Sequence, residues 1–120
     1  MSLYDELGGA PAVSLALDNF YPRVLAHPIV SPFFAGVDMD KLKERATPFV
    51  TMALGGPNTY QGAGLREVHK HLLTQGLDDS AFDAFVDLFE DVLKELGVAA
   101  DKRGEVNALL QGARSEVLNR

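Results

Sequence analysis

The chain has 120 residues, of which 47% are apolar and 23% are charged, and its formal net charge at pH 7 is −6. These values predict one globular domain over residues 1–120, and the acidic charge argues against nucleic acid or anionic membranes as partners, since both require basic surfaces. The chain contains no cysteine, which excludes disulfides, thiolate metal sites, iron–sulfur clusters and a cysteine nucleophile.

Glycines and prolines divide the first half of the chain into helical pieces. Residues 1–7 predict a helical turn that two glycines end. Residues 11–27 carry apolar side chains at spacings of three and four, which predicts an amphipathic helix that Pro22 should distort. Its apolar stripe consists of Val13, Leu17, Phe20, Tyr21, Val24 and Leu25.

The middle of the chain alternates connections with one helix. Residues 31–38 predict a short connection with Phe33 and Phe34, which neighbouring elements must cover. Residues 39–54 predict a second helix that Pro48 should interrupt. Its apolar positions are Leu42, Phe49, Val50 and Ala53. Residues 55–64 hold four glycines and one proline, which predicts irregular chain.

Three helices are predicted in the second half, over residues 65–74, over residues 80–96 and from Asp101 onward. Gly76 and Gly97 are expected to end the first two, and Asp78 or Asp79 to cap the second. The longer stripes are Phe82, Phe85, Val86, Phe89, Val92, Leu93 and Leu96, then Val106, Leu109, Leu110, Val117 and Leu118. No segment alternates as a strand would, so the predicted fold class is all-α.

The chain shows no targeting or membrane signal. Residues 1–6 lack a basic region followed by an apolar run, and no apolar stretch approaches the ~20 residues of a membrane helix. We therefore expect a cytoplasmic protein without a membrane span.

Spacing distinguishes the histidines. His69 and His71 are two residues apart on one predicted helix, so they point in nearly opposite directions and cannot form a two-histidine metal site. Leu65, Leu72 and Leu73 surround His69 at helical spacing, which predicts that His69 faces the core and His71 faces water. Zinc would need further ligands, whereas haem iron needs only one imidazole. A core histidine without a ligand remains the alternative.

Aromatic side chains offer an apolar slot for a haem, or simply an aromatic core. The candidates are Phe33, Phe34, Phe49, Phe82, Phe85 and Phe89. Tyr21 lies in a core stripe, and its hydroxyl needs a hydrogen-bond partner, either a carbonyl group or a ligand on the iron.

An ordered set of short strings resembles the group I truncated haemoglobins, the shortened two-over-two globins. The strings are Leu3-Tyr4-Asp5-Glu6-Leu7-Gly8-Gly9, Phe20-Tyr21, Arg23-Val24-Leu25, Phe33-Phe34, Ala53-Leu54-Gly55-Gly56-Pro57, Tyr60, Gly62, Val68-His69, Gly76-Leu77, Phe82-Asp83 and Val117-Leu118-Asn119. The resemblance runs from end to end and implies a shortened globin fold, a two-over-two helical sandwich around haem b.

The resemblance also implies roles for single residues. His69 looks like the proximal iron ligand, and Tyr21 looks like the distal tyrosine that hydrogen-bonds bound oxygen. Lys41 is expected near a haem propionate. The remaining residues expected around the haem are Phe34, Leu42, Arg45, Ala46, Phe49, Tyr60, Leu65, Leu72, Phe82 and Val86.

The sequence departs from the family pattern at several of these positions. Leu42 and Ala46 stand where the family usually carries distal glutamines, so weaker oxygen retention is expected unless Arg45 donates to the ligand. Arg45 stands where some relatives carry a sixth iron ligand, which implies an open or water-filled sixth site. Val50 replaces a bulky aromatic thought to gate a gas tunnel. Ala113 falls near a histidine that binds haem covalently in certain relatives, so no covalent link is expected.

The resemblance implies reversible binding of O2, NO and CO, and leaves the purpose open. One reading is chemistry on these gases, as an NO dioxygenase or a peroxidase-like enzyme supplied with electrons by a reductase. The other is non-enzymatic storage, transport or sensing of O2 or NO. We expect a monomer or a weak dimer.

Overall fold

The computed structural model describes residues 2–57 and 69–120. In these ranges the helices are α1 (Leu3–Leu7), α2 (Ala10–Ala26), α3 (Met39–Ala53), α4 (Asp79–Glu95), α5 (Ala100–Gly112) and α6 (Arg114–Val117). Two 3-10 helices, Ser31–Phe34 and His71–Gln75, lie between them. No strand occurs in the described ranges, as the all-α prediction requires. The helices described here include none with the length and apolar character to cross a membrane.

Side-chain caps and glycines set the helix ends. The Ser2 hydroxyl accepts from the backbone N–H of Asp5 and caps α1, and Gly8 in the left-handed region ends it. The Asp38 carboxylate caps α3 in the same way. For α4 the sequence left two candidates, and the structure selects Asp78, whose carboxylate accepts from the backbone N–H of Ala81.

The expected interruption at Pro48 does not occur. Pro22 and Pro48 both lie inside helices, α2 and α3, that continue past them. An interior proline removes one backbone hydrogen bond and costs ~3 kcal/mol in a helix. α2 buries apolar side chains on both sides of Pro22, whereas α3 buries Val50 and Ala53 after Pro48 and packs the partly buried Ala46 before it. This tertiary packing stabilises both helices as continuous elements.

The main core forms where α2 packs against α3 and α4, and α5 closes it through contacts with both α4 and α3. The sequence placed Leu25 and Leu109 on the apolar faces of their helices, and that prediction is wrong for both. Leu25 is 48% exposed and Leu109 is 39% exposed. Each directly adjoins an inward neighbour, Val24 or Leu110. Successive helical residues point about 100° apart, so only one member of each pair faces the core.

The predicted helix over residues 65–74 and the last predicted helix also need correction. Only residues 69 and 70 of the predicted helix over 65–74 are described as α-helical, and the chain then tightens into the 3-10 helix. The last helix breaks at Ala113 into α5 and α6. Phe33 and Phe34, predicted to lie in a short connection, lie in a 3-10 helix, and both are half-buried.

The N-terminal helix is fastened to the end of α3. The backbone N–H of Tyr4 donates to the Leu54 carbonyl at 2.8 Å, and the Tyr4 ring lies over Gly56. A Cβ added to Gly56 would stand 2.7 Å from Cγ of Tyr4 and 2.9 Å from the methyl carbon of Thr51. No side chain fits there unless α1 moves.

We predict that Gly56→Ala lowers the free energy of unfolding by roughly 1–3 kcal/mol, because the new methyl group overpacks the Tyr4 contact. Gly104→Ala in α5 is the matched control, since an added Cβ there meets nothing within 4 Å. That change should stabilise by about 0.5–1 kcal/mol. Urea unfolding of both variants measures the difference, and equal shifts would contradict the Tyr4 contact.

Candidate functional site

Tyr21 and Phe34 meet inside a group of aromatic rings. The Tyr21 ring lies 5.4 Å from the Phe20 ring and 6.5 Å from the Phe34 ring, measured between centroids. Phe85 of α4 joins the group at 5.5 Å from Phe34. These contacts tie the 3-10 helix that carries Phe34 to both α2 and α4. Tertiary packing thus brings together two residues that the sequence proposed for the site.

Phe85 was missing from the roles implied by family resemblance. It is half-buried and contacts Phe34 and, at 6.2 Å, Phe20. The sequence placed Phe85 on an apolar helix face and among the candidate aromatic residues. Neither observation could tell whether its ring lines a haem pocket or packs in an ordinary core. Its ring contacts make Phe85 part of the candidate site.

The Tyr21 hydroxyl is a donor without a partner among the described residues. Burial raises the pKa of Tyr21 to about 12, and no charged group or hydrogen bond contributes to that shift. The phenol therefore stays protonated at neutral pH. Tyr21 is half-buried, and a partly desolvated donor gains free energy when an acceptor takes its hydrogen bond, so this hydroxyl is available to a bound ligand.

We predict that Tyr21 titrates well above the usual value for tyrosine, ~10. Because the folded state holds this proton more tightly, its contribution to stability is complete below pH 10 and is lost as pH rises towards about 12. The Cζ resonance of 13C-labelled tyrosine gives the pKa, and Tyr21→Phe assigns the signal. Titration of that signal near pH 10 would contradict the burial of the phenol.

One face of α3 continues the apolar wall. Leu42, Ala46 and Phe49 follow one another at spacings of four and three, and all three are half-buried. Lys41 and Arg45 lie beside this face and are exposed. No described residue forms an ion pair with either cation, which leaves both available to a negatively charged group at the edge of the site.

His69 lies two residues before the start of the 3-10 helix His71–Gln75 and is half-buried. Leu72 and Leu73 of that helix pack against a second apolar cluster, which contains the buried side chains of Phe82 and Val86. The turn closes through the backbone N–H of Leu77, which donates to the Leu72 carbonyl at 3.1 Å. The chain next to His69 is thus anchored to α4.

Several proposed positions need separate comment. Tyr60, Leu65 and the side chain of His71 lie outside the described residues. Val50 is buried in the main core, and Ala113 marks the break between α5 and α6. In the described ranges no three His, Asp or Glu residues come together as a metal site would require. The described residues therefore offer single imidazoles, such as that of His69, rather than a cluster of metal ligands.

Comparison with known proteins gives a consistent result. A model of the family described as "Bacterial-like globin" matches residues 2–119. A group 1 truncated hemoglobin of Synechocystis sp. is 43% identical, with 98% of each chain covered. A group 1 truncated hemoglobin of Tetrahymena pyriformis is 38% identical, covering 99% of this chain and 96% of its own.

Solved structures resemble the fold over the same length. The 2/2 hemoglobin from Synechococcus sp., in the cyanomet state and with covalently attached heme, matches with a TM-score of 0.91 and 41% identity, and all of each chain is covered. The truncated hemoglobin from Tetrahymena pyriformis, in its Fe(III) form, matches with a TM-score of 0.87 and 37% identity, covering 98% of each chain.

Proposed function

This chain belongs to the bacterial-like globin family, as a group 1 truncated haemoglobin, and from that premise we propose that it holds one haem b on His69 and reversibly binds O2, NO and CO. The predicted two-over-two globin fold is confirmed by the same comparisons. Bound haem supplies an iron that accepts one imidazole and one small gas molecule. The residues of this chain hold the haem, exclude water and donate hydrogen bonds.

Side chains near Tyr21 and His69 fit a flat apolar cofactor. Phe34, Phe49 and Leu72 are half-buried, so each keeps apolar surface that a porphyrin would cover. Phe34 and Phe49 pack on the main core, whereas Leu72 packs on the cluster around Phe82. Covering such surface is worth about 25 cal/mol per Å2 removed from water.

The observation that carries the proposal is the Tyr21 hydroxyl. It belongs to a half-buried side chain, is protonated and has no partner among the described residues, next to the Phe34 ring. A polar gas ligand would accept the hydrogen bond that this donor lacks. Leu42 and Ala46 have no side-chain donor, so Tyr21 is the principal one. Arg45 is a second donor within reach of the α3 face.

Lys41 and Arg45 are proposed to hold the haem at its polar edge. Both are exposed and lie beside the half-buried face of α3. Ammonium and guanidinium groups form charge-assisted hydrogen bonds with carboxylates such as the haem propionates. Exposed pairs of this kind contribute ~0.2–1 kcal/mol each, so they orient the haem more than they retain it.

Spectra of the protein expressed with haem available test the binding function. We expect a Soret band in the ferric state that shifts on reduction and shifts again when CO is added. The ferrous spectrum before CO addition is expected to show five-coordinate iron, since Arg45 stays protonated and cannot act as a ligand. A protein that takes up no haem would overturn the proposal.

Within this function we propose consumption of NO with O2 to give nitrate, supported by a reductase that keeps the iron ferrous. The alternative is storage, transport or sensing, and the missing amide donors at Leu42 and Ala46 favour it, because weaker hydrogen bonding shortens the time that O2 stays bound. Adding NO to the oxygenated protein separates the two. Stoichiometric nitrate and repeated turnover with a reductase support the first, and slow NO loss without nitrate supports the second.

A further inference from the structure

The C-terminal residues are held against the first turn of α4 by two arginines. Nη1 of Arg114 donates to Oδ1 of Asp79 at 2.8 Å, and its Nη2 donates to Asp83. Arg120 donates to both oxygens of Asp79, at 2.8 Å from Nη1 to Oδ2 and 2.7 Å from Nη2 to Oδ1. These four residues are called the C-terminal clamp below.

The clamp contains more contacts than an ordinary surface ion pair. The guanidinium of Arg114 forks between two carboxylates, and Asp79 receives two arginines. Hydrogen bonds from Arg120 and Arg114 hold the pKa of Asp79 down at about 2. Isolated exposed pairs contribute little, whereas planar forked contacts in a network fix geometry. Asp79 therefore stays ionised across the physiological pH range and keeps the charge that both arginines contact.

Arg114 also covers an aromatic ring. Its Cζ lies 4.5 Å from the centroid of Phe82, the distance of a cation–π contact. Asp79, Phe82 and Asp83 are spaced three and four residues apart and share one face of α4. The carboxylates on either side of the ring hold the guanidinium over it. Only 21% of the Arg114 side chain is exposed, so Arg114 packs over Phe82 and separates it from solvent.

Phe82 connects the clamp to the segment that follows His69 through shared packing. The Phe82 ring is buried in the second apolar cluster with Leu77 and Leu118, and Leu72 packs on the same cluster. Leu72 lies in the 3-10 helix three residues after His69. A change in the position of the Phe82 ring therefore changes what the turn next to His69 packs against.

We infer that Arg114 is a positioning residue, which fixes the Phe82 ring and thereby holds the 3-10 helix His71–Gln75 and the orientation of the His69 imidazole. This rests on the proposed function of His69. Charges at the C-terminus then govern how long haem is retained, although Arg114 has no part in binding it directly. Residues that orient a metal ligand typically change metal affinity 10- to 100-fold when replaced.

The test compares Arg114→Met and Arg114→Lys with Arg23→Met. Arg23 forms an ion pair with Glu95 and is 31% exposed, but the pair joins α2 to α4 away from Phe82. Methionine keeps much of the cover over Phe82 and loses both carboxylate contacts, whereas lysine keeps the charge and loses the fork. Arg23→Met therefore controls for the loss of an arginine ion pair in general.

Three readouts are measured on the haem-bound protein. We expect Arg114→Met to lose ferric haem to apomyoglobin roughly tenfold faster than the native protein, Arg114→Lys to lie between them, and Arg23→Met to stay within about twofold. The iron–histidine stretching band of the ferrous protein should shift or broaden in Arg114→Met alone. Hydrogen exchange at the Leu77 amide, whose bond closes the turn, should rise in the same variant, with and without haem.

The results distinguish the positioning role of Arg114 from the proposed haem binding. Equal haem loss, an unchanged stretching band and an unchanged Leu77 amide in Arg114→Met would overturn this inference and leave the proposed function standing. Equal effects from Arg23→Met would overturn it too, since they would show a general loss of stability. A native protein that takes up no haem would overturn the proposed function, and this inference with it.

Discussion

His69→Gly is expected to abolish the histidine-ligated spectrum of the protein and to lower haem retention by at least about 100-fold, since removing a ligand should cost more than disturbing its neighbours. No other imidazole is expected to replace it. His71 is predicted to point to the opposite side of the same segment, and the Nδ1 atom of His27 accepts a backbone hydrogen bond from Ile29 at the end of α2.

Added imidazole is expected to restore the lost ferrous and CO-bound spectra, because glycine leaves a space of the shape that the free ligand fills. His71→Gly is the matched control, with the same glycine placed two residues away. It carries the same backbone cost of ~1 kcal/mol and should leave the spectrum unchanged. If His71→Gly loses the spectrum and His69→Gly keeps it, the assignment of the ligand is reversed.

Tyr21→Phe is expected to raise the rate of O2 dissociation about 10- to 100-fold. A hydrogen bond to a strongly polar acceptor is worth ~1.5–3 kcal/mol, and each 1.4 kcal/mol is a factor of ten. Phenylalanine keeps the ring contacts with Phe20 and Phe34, so the change removes the hydroxyl without opening a cavity. Stopped-flow mixing of the oxygenated protein with CO measures the rate.

Carbon monoxide provides the internal control for this prediction. It is a poorer hydrogen-bond acceptor than bound O2, so its dissociation rate should change much less in Tyr21→Phe. Tyr4→Phe is the matched variant, because Tyr4 packs over Gly56, whereas Tyr21 packs on Phe20 and Phe34. Equal changes for O2 and CO would point to steric effects. If neither dissociation rate changes, Tyr21 is not the donor. Arg45 is then the remaining candidate, and Arg45→Met tests it.

Local patterns in the sequence were enough for most of the helices and for the class of fold. Apolar spacing located α2, α3 and α4, and Asp78, Gly76 and Gly97 marked helix ends because caps depend on only a few neighbouring residues. His69 emerged from the contrast with His71, and the resemblance to a family turned a core histidine into a ligand candidate. The role of His69 stays a prediction.

Tertiary structure alone decided what depends on contacts between distant residues. The partners of the C-terminal clamp are 31 to 41 positions apart, and no periodic pattern records such a pair. The passage of α3 through Pro48 and the exposure of Leu25 likewise follow from the arrangement of neighbouring helices. Helical periodicity defines a face, and only packing decides how much of that face is covered. The sequence by itself therefore determined most of the helices and the candidate ligand, and the packing determined which rings meet around Tyr21 and which stripe residues stay exposed.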